Sequence, residues 1–279
     1  MKYSSIRNLH YKTQRKIHIG INASIDDWLH SPYHCLKVRF FIELSAIIVN
    51  LLQHTPIKPN FITILFVITG IVGSILLSSG EQHLIVAGVL IFFTYGIFDW
   101  IDGLLARVKK KMSTLGSVLD PWAGLVASFS FSIGIGIYLF NSTQEIHFIY
   151  LTILIIAIKA LDIKNYTYHY SMYSFYKNYK LKKNKNRKKN KFKKEDLNLP
   201  KKLIYLKNFF KGFLDDRAIT IDTIGVIILI ELSYDKIILT NFIYYLIFIR
   251  ALALFAGGFY LVFFKDFAEK INSSLNKIS

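Results

Sequence analysis

Six apolar stretches constrain this chain before anything else does. They run approximately from Asn60 to Ser78, His83 to Arg107, Trp122 to Phe140, Phe148 to Met172, Ile219 to Leu232 and Thr240 to Phe264. Crossing about 30 Å of hydrocarbon takes about 20 apolar residues as a helix, because lipid offers nothing to satisfy a bare backbone. The fifth stretch is the shortest and contains Asp222. An earlier segment, "VRFFIELSAIIVNLLQH" from Val38, is interrupted by Glu43 and followed by Pro56 and Pro59. In it Phe40, Leu44, Ile47, Ile48 and Leu51 recur at helical spacing, with Arg39, Glu43 and Asn50 elsewhere. That pattern predicts an amphipathic helix on the membrane surface, with a seventh span as the alternative. The expected fold is all-α: a polytopic membrane protein of six transmembrane helices preceded by an interfacial helix.

Charge orients the spans. The chain is 53% hydrophobic and 15% aromatic yet carries a formal charge of +17, a combination foreign to ordinary soluble globules. Residues 1–59, 107–113, 177–217 and 265–279 are rich in Lys and Arg, whereas "SSGEQH", "NSTQEIH" and "SYDKI" hold one lysine among them. Positive loops stay inside, so both termini and the inner end of the second span are expected on the cytoplasmic side. Residues 177–217 hold sixteen Lys or Arg against four acids. Between two spans, such a loop meets anionic lipid headgroups more naturally than nucleic acid. Cys35 is the single cysteine, which excludes an internal disulfide. The segment "MKYSSIRNLHYKTQRKIHIG" has no apolar core and does not read as a signal peptide. The expected organisation is a polar tail (1–24), an interfacial helix and linker (25–59), a six-span membrane domain (60–265) and a C-terminal tail (266–279).

The chemistry concentrates in "DWIDGLLARVKKKMSTLGSVLDPWAGL", residues 99 to 125. On a helix Asp99, Asp102, Gly103 and Ala106 fall at i, i+3, i+4 and i+7, on one face. Gly116, Asp120 and Gly124 fall at i, i+4 and i+8, after a turn containing "KKKMST". Two antiparallel helices joined there would bring three carboxylates together, which repel unless a cation lies between them. Oxygen ligands of this hardness suit Mg²⁺ or Mn²⁺. The small residues leave room for a ligand, and Arg107 is placed to meet a phosphate. Taken singly, an interfacial Asp, Gly or Arg more often ends or packs a span. The whole constellation at a membrane boundary reads as a metal-bound pyrophosphate site.

These residues resemble the signature of the CDP-alcohol phosphotransferases, D-x2-D-G-x2-A-R-x8-G-x3-D-x3-D. Asp99, Asp102, Gly103, Ala106, Arg107, Gly116 and Asp120 match it with every spacing kept. The "TPIKPNFIT" segment resembles the family's lead-in to its first span, with Pro59, Asn60 and Thr63. The resemblance covers residues 25 to 265, with specific motifs only from 54 to 124. It implies a six-span membrane enzyme, a homodimer, that displaces CMP from a CDP-linked alcohol or lipid and joins the substituted phosphate to a polar or phosphorylated alcohol. It further implies that Asp99, Asp102 and Asp120 hold the divalent metal. Gly103, Ala106, Arg107, Gly116, Asn60 and Thr63 would line the nucleotide pocket, and basic residues of later spans, here Arg217 and Arg250, would hold the acceptor.

The chain departs from the signature at its last position. The family's general base would fall at 124, where this chain has Gly124, and no Asp or Glu follows until Glu145. A substitute base would come from Asp162, Asp215, Asp216 or Asp222, or from the acceptor itself. The competing readings are a catalytically silent relative that binds a CDP-linked ligand or a partner, and a transporter. No internal repeat supports transport. Lys159 and Asp162, three apart, are expected to pair with each other, and Arg250 with a carboxylate such as Asp222 or a ligand phosphate.

Overall fold

The computed structural model describes residues 1–19, 37–161, 219–234 and 237–264. Among them run nine helices: α1 (Tyr3–Ile19), α2 (Arg39–Leu52), α3 (Pro59–Leu77), α4 (Gln82–Thr94), α5 (Ile97–Val108), α6 (Thr114–Thr143), α7 (His147–Ala160), α8 (Ile219–Tyr234) and α9 (Ile238–Phe264). The all-α expectation holds, and four segments are long and apolar enough to cross a membrane: Pro59–Leu77, Gln82–Val108, Leu115–Thr143 and Ile238–Tyr260. Of the other two expected spans, α7 is described over 14 residues and α8 over 16. The protein is a membrane protein of helical architecture.

Two compact units divide the chain, Met1–Phe148 with Asp215–Thr240, and Ile149–Leu214 with Asn241–Ser279. In the first, α3 is central and touches α4, α5 and α6. Glycines allow that closeness. A Cβ on Gly88 would stand 2.6 Å from the Leu77 nitrogen and 2.9 Å from the Gly73 carbonyl oxygen, and one on Gly134 would stand 3.1 Å from Ser74 Cα. The helices therefore meet backbone to backbone, the packing mode that lipid favours. In the second unit, the hydroxyls of Thr152 and Tyr244 meet at 2.7 Å, a buried bond between α7 and α9.

The surface helix divides its apolar residues between two environments. Phe41, Ile42, Ala46 and Val49 of α2 are buried. Phe41, Ala46 and Val49 share one cluster with Ile97, Ile101, Leu104 and Leu105 of α5, and Ile42 packs with Val38 beside Trp100. Phe40, Ile47 and Leu51 stay exposed, the face expected to lie in lipid. The polar N-terminal stretch is not a bare tail over its described part, because residues 3–19 form α1 against α2. Ile6 is buried in the cluster with α2 and α5, and Leu9 packs on it. Glu43, the acid that interrupts the apolar run, is the clasp. Arg7 Nε donates to its two carboxylate oxygens at 2.8 and 2.7 Å, Tyr11 Oη at 2.8 Å and Tyr3 Oη at 3.0 Å.

Candidate active site

The second apolar stretch breaks in two. Helix α4 ends at Thr94 and α5 starts at Ile97, with Gly96 preceding it, so the aspartate-bearing segment is a helix of its own. It closes through Lys110, whose φ of +54° carries the chain into the left-handed region. The Lys110 N–H bonds the Arg107 carbonyl at 3.2 Å and the Lys111 N–H the Ala106 carbonyl at 2.9 Å, which satisfies the last turn. Lys109 Nζ donates to the carbonyls of Thr55 and Ile57 at 2.6 and 2.8 Å, tying this corner to the lead-in of α3. Ser113 then caps α6, its hydroxyl accepting from the Gly116 N–H at 3.0 Å. The expected helix–turn–helix is present.

The site residues fall on three elements. Asp99, Asp102, Gly103, Ala106 and Arg107 lie on α5, Gly116, Asp120 and Gly124 on α6, and Asn60 and Thr63 on α3. Asp102 is buried at 7% exposure, while Asp99 and Asp120 are exposed. Thr63 donates its hydroxyl to Asp102 Oδ2 at 2.5 Å, so this threonine orients a carboxylate. The charges of Asp102, Asp120 and Arg107 act on one another. Among the described residues no three His, Cys, Asp or Glu side chains form a ready metal cage.

The three glycines differ in what surrounds them. A Cβ on Gly103 would come 3.4 Å from a terminal nitrogen of Arg107, so the guanidinium lies back over that bare position. On Gly116 it would meet Ser113 Oγ at 3.2 Å and Asn60 Oδ1 at 3.3 Å, which brings α3 and α6 together there. On Gly124 it would meet nothing within 4 Å among the described residues. Among the described residues, position 124 is open rather than filled by another group.

The other expected participants distribute differently. The carboxylate of Asp222 forms an ion pair with Lys37, which occupies it before any role as a base. Arg250 lies midway along α9, in the second unit. Asp162, Asp215, Asp216 and Arg217 lie outside the described residues. The Trp100 ring meets Phe41 edge-on at 5.8 Å and His10 edge-on at 5.5 Å. His10 was not legible as part of this neighbourhood, because its only sequence cue is a position one turn beyond Ile6 on a polar helix.

Alongside α5 an apolar cavity of about 350 Å³ is lined by α2, α3 and α5 residues, including Phe40, Leu44, Phe61, Leu65, Phe98 and Ile101. Its exposed lining is apolar, as a site for hydrocarbon requires.

Comparison with known proteins bears on this geometry. The family model for CDP-alcohol phosphatidyltransferase matches residues 57–187. A CDP-diacylglycerol–glycerol-3-phosphate 3-phosphatidyltransferase of Haemophilus influenzae is 51% identical over 37 residues, which is 13% of this chain and 20% of that relative. The chain thus spans about a fifth of the curated relative it matches. The segment matched by the family model contains α3, the complete Asp99–Asp120 constellation and Gly124. Residues 57–187 are thus similar to the CDP-alcohol phosphatidyltransferases, over a little under half of the chain.

Proposed function

We propose that this protein is a membrane transferase that moves a substituted phosphate from a CDP-linked alcohol or lipid to an acceptor hydroxyl, with release of CMP. The observation that carries the reading is the buried Asp102 carboxylate, held by Thr63 across two helices, on the α5 segment where Arg107 lies over Gly103. The acceptor oxygen would bond to the phosphorus that bears the alcohol, and the phosphoanhydride bond to CMP would break. The acceptor loses its proton, and CMP leaves with the bridging oxygen.

The chemistry of the site's carboxylates, though not a preformed cage among the described residues, is the kind a hard divalent cation takes. Asp102 and Asp120 are carboxylates that repel each other, and Asp99 lies one helical turn before Asp102 on α5. Together they offer oxygen ligands that Mg²⁺ or Mn²⁺ accepts. When bound, such an ion supplies positive charge to the pyrophosphate and to the departing CMP. The chain's own groups do the rest. Thr63 holds the Asp102 carboxylate in one orientation, and Arg107 offers a fixed cation to a phosphate oxygen. The Arg107 side chain lies over Gly103, so a ligand phosphate at that face would take the guanidinium as its partner. The apolar cavity beside α5 supports a substrate with a hydrocarbon chain. A homodimer with active site and termini on the cytoplasmic side belongs to the same reading.

Gly124 favours a second reading. Without a carboxylate there, the acceptor proton needs another base, and a chain that lacks one would bind a CDP-linked ligand without turning it over. The deciding experiment incubates purified protein with CDP-diacylglycerol and several CDP-alcohols plus Mg²⁺ or Mn²⁺, and follows CMP release with and without a panel of acceptors. Acceptor-dependent CMP release is the expected result. Donor binding with no release under any acceptor would make the silent binding protein the better reading.

A further inference from the structure

The imidazole of His10 is an unsatisfied polar group in an otherwise well-bonded part of the molecule. Its residue is 0% exposed, and neither Nδ1 nor Nε2 has a hydrogen-bond partner among the described residues. A buried polar group left unpaired opposes docking, so something else must hold α1 down. Two things do: Ile6 and Leu9 in the apolar cluster with α2 and α5, and the Glu43 clasp.

His10 also lies against the helix that carries the site. Its ring meets Trp100, and the charge of Arg107 acts on it. Trp100, Gly103 and Arg107 fall at i, i+3 and i+7 on α5, and the Arg107 guanidinium lies back over Gly103. One side of α5 therefore carries the Arg107 guanidinium and receives α1.

We propose that α1 is an acid-released brace of the active-site helix, with His10 as the positioning residue that couples the docking of α1 to the Trp100–Arg107 face of α5. The docked imidazole has to be neutral. Burial pulls it down to about 4 from the ordinary 6.5, and the Arg107 cation acts in the same direction. The other charged groups on these elements do not offset this. On α1, Arg7 and Tyr11 are engaged with Glu43 of α2, and Lys12 is exposed. Arg39 of α2 is exposed, Lys37 is paired with Asp222, and Asp99 of α5 is exposed while Asp102 is held by Thr63. Undocked, His10 regains its ordinary affinity for a proton. Docking is then strongest above about pH 6.5 and weakens as pH falls toward about 4, by roughly thirtyfold between about pH 7.5 and about pH 5.

The test uses the full chain in nanodiscs and reads hydrogen exchange of the α1 amides, corrected for intrinsic exchange, at those two pH values. The wild type should lose roughly thirtyfold in protection on acidification. His10→Phe, which keeps a ring against Trp100 and cannot take a proton, should hold its protection at both values. Glu43→Gln should loosen α1 at both values while keeping the pH response. Equal protection of the wild type at both values, or an equal loss in His10→Phe, would overturn the proposal. Should His10→Phe fail to dock at neutral pH, His10→Leu makes the same comparison. CMP affinity in the presence of Mg²⁺, measured on the same samples, should fall more on acidification in the wild type than in His10→Phe. This last arm rests on the nucleotide reading of the site: absence of CMP binding at every pH counts against that reading, while the exchange data judge the brace by themselves.

Discussion

At Gly124 a side chain is missing where nothing within 4 Å among the described residues would obstruct one. Gly124→Asp should therefore fold normally, with the carboxylate one helical turn beyond Asp120. A positioned general base contributes about 10²- to 10⁴-fold, so transfer to an acceptor hydroxyl should rise within that range, read as CMP release. A slower variant would mean that another group is the base and that the glycine makes room for the acceptor. Thr63→Val tests the neighbouring carboxylate. It strips Asp102 of a buried hydrogen bond and should cost about 1–3 kcal/mol, seen as earlier thermal unfolding in detergent. The helical spacing made the aspartates and glycines legible from sequence, because each set lies within one helix. The Thr63–Asp102 bond was hidden because it depends on how α3 crosses α5, across 39 residues of chain.

At the scale of elements, α1 shows what hydropathy leaves out. A mostly polar segment gains its fold from Ile6, Leu9 and a carboxylate 36 residues away from Arg7. Glu43 reads as an interruption of an apolar helix until α1 is seen to cover it. Its hydrogen bond with Arg7 is the main cause holding its carboxyl down at about 2, with Tyr11 and Tyr3 helping against partial burial. A depressed acid contributes stability above its free value and loses it as pH falls. The clasp should therefore hold down to about pH 4.5 and give way between there and about pH 2. In His10→Phe, α1 protection should fall only within that lower window, and Glu43→Gln should abolish the transition. High salt should weaken the clasp as well, because Arg7 and Glu43 are partly exposed.

For the whole molecule, the apolar runs become helices because lipid permits little else, and the four long spans lie where hydropathy puts them. The break between α4 and α5 leaves no mark in hydropathy, since residues 95 and 96 interrupt the helix without interrupting the apolar run. Loop charge sets the remaining expectation. In sealed inside-out vesicles, added protease should cut within residues 177–217, and in right-side-out vesicles it should not. Cutting only from the opposite face would reverse the orientation and put the Asp99–Asp120 corner on the outer side.

The open position at Gly124 also has a genetic consequence. Two of the glycine codons become aspartate codons by a single base change, and no neighbour among the described residues stands within 4 Å of the Cβ that the change adds. From either codon the full signature is one point mutation away, at a position where the added Cβ meets open space among the described residues. A randomly mutagenised library started from such a codon and selected for the transfer activity should recover that substitution early, without compensating changes elsewhere.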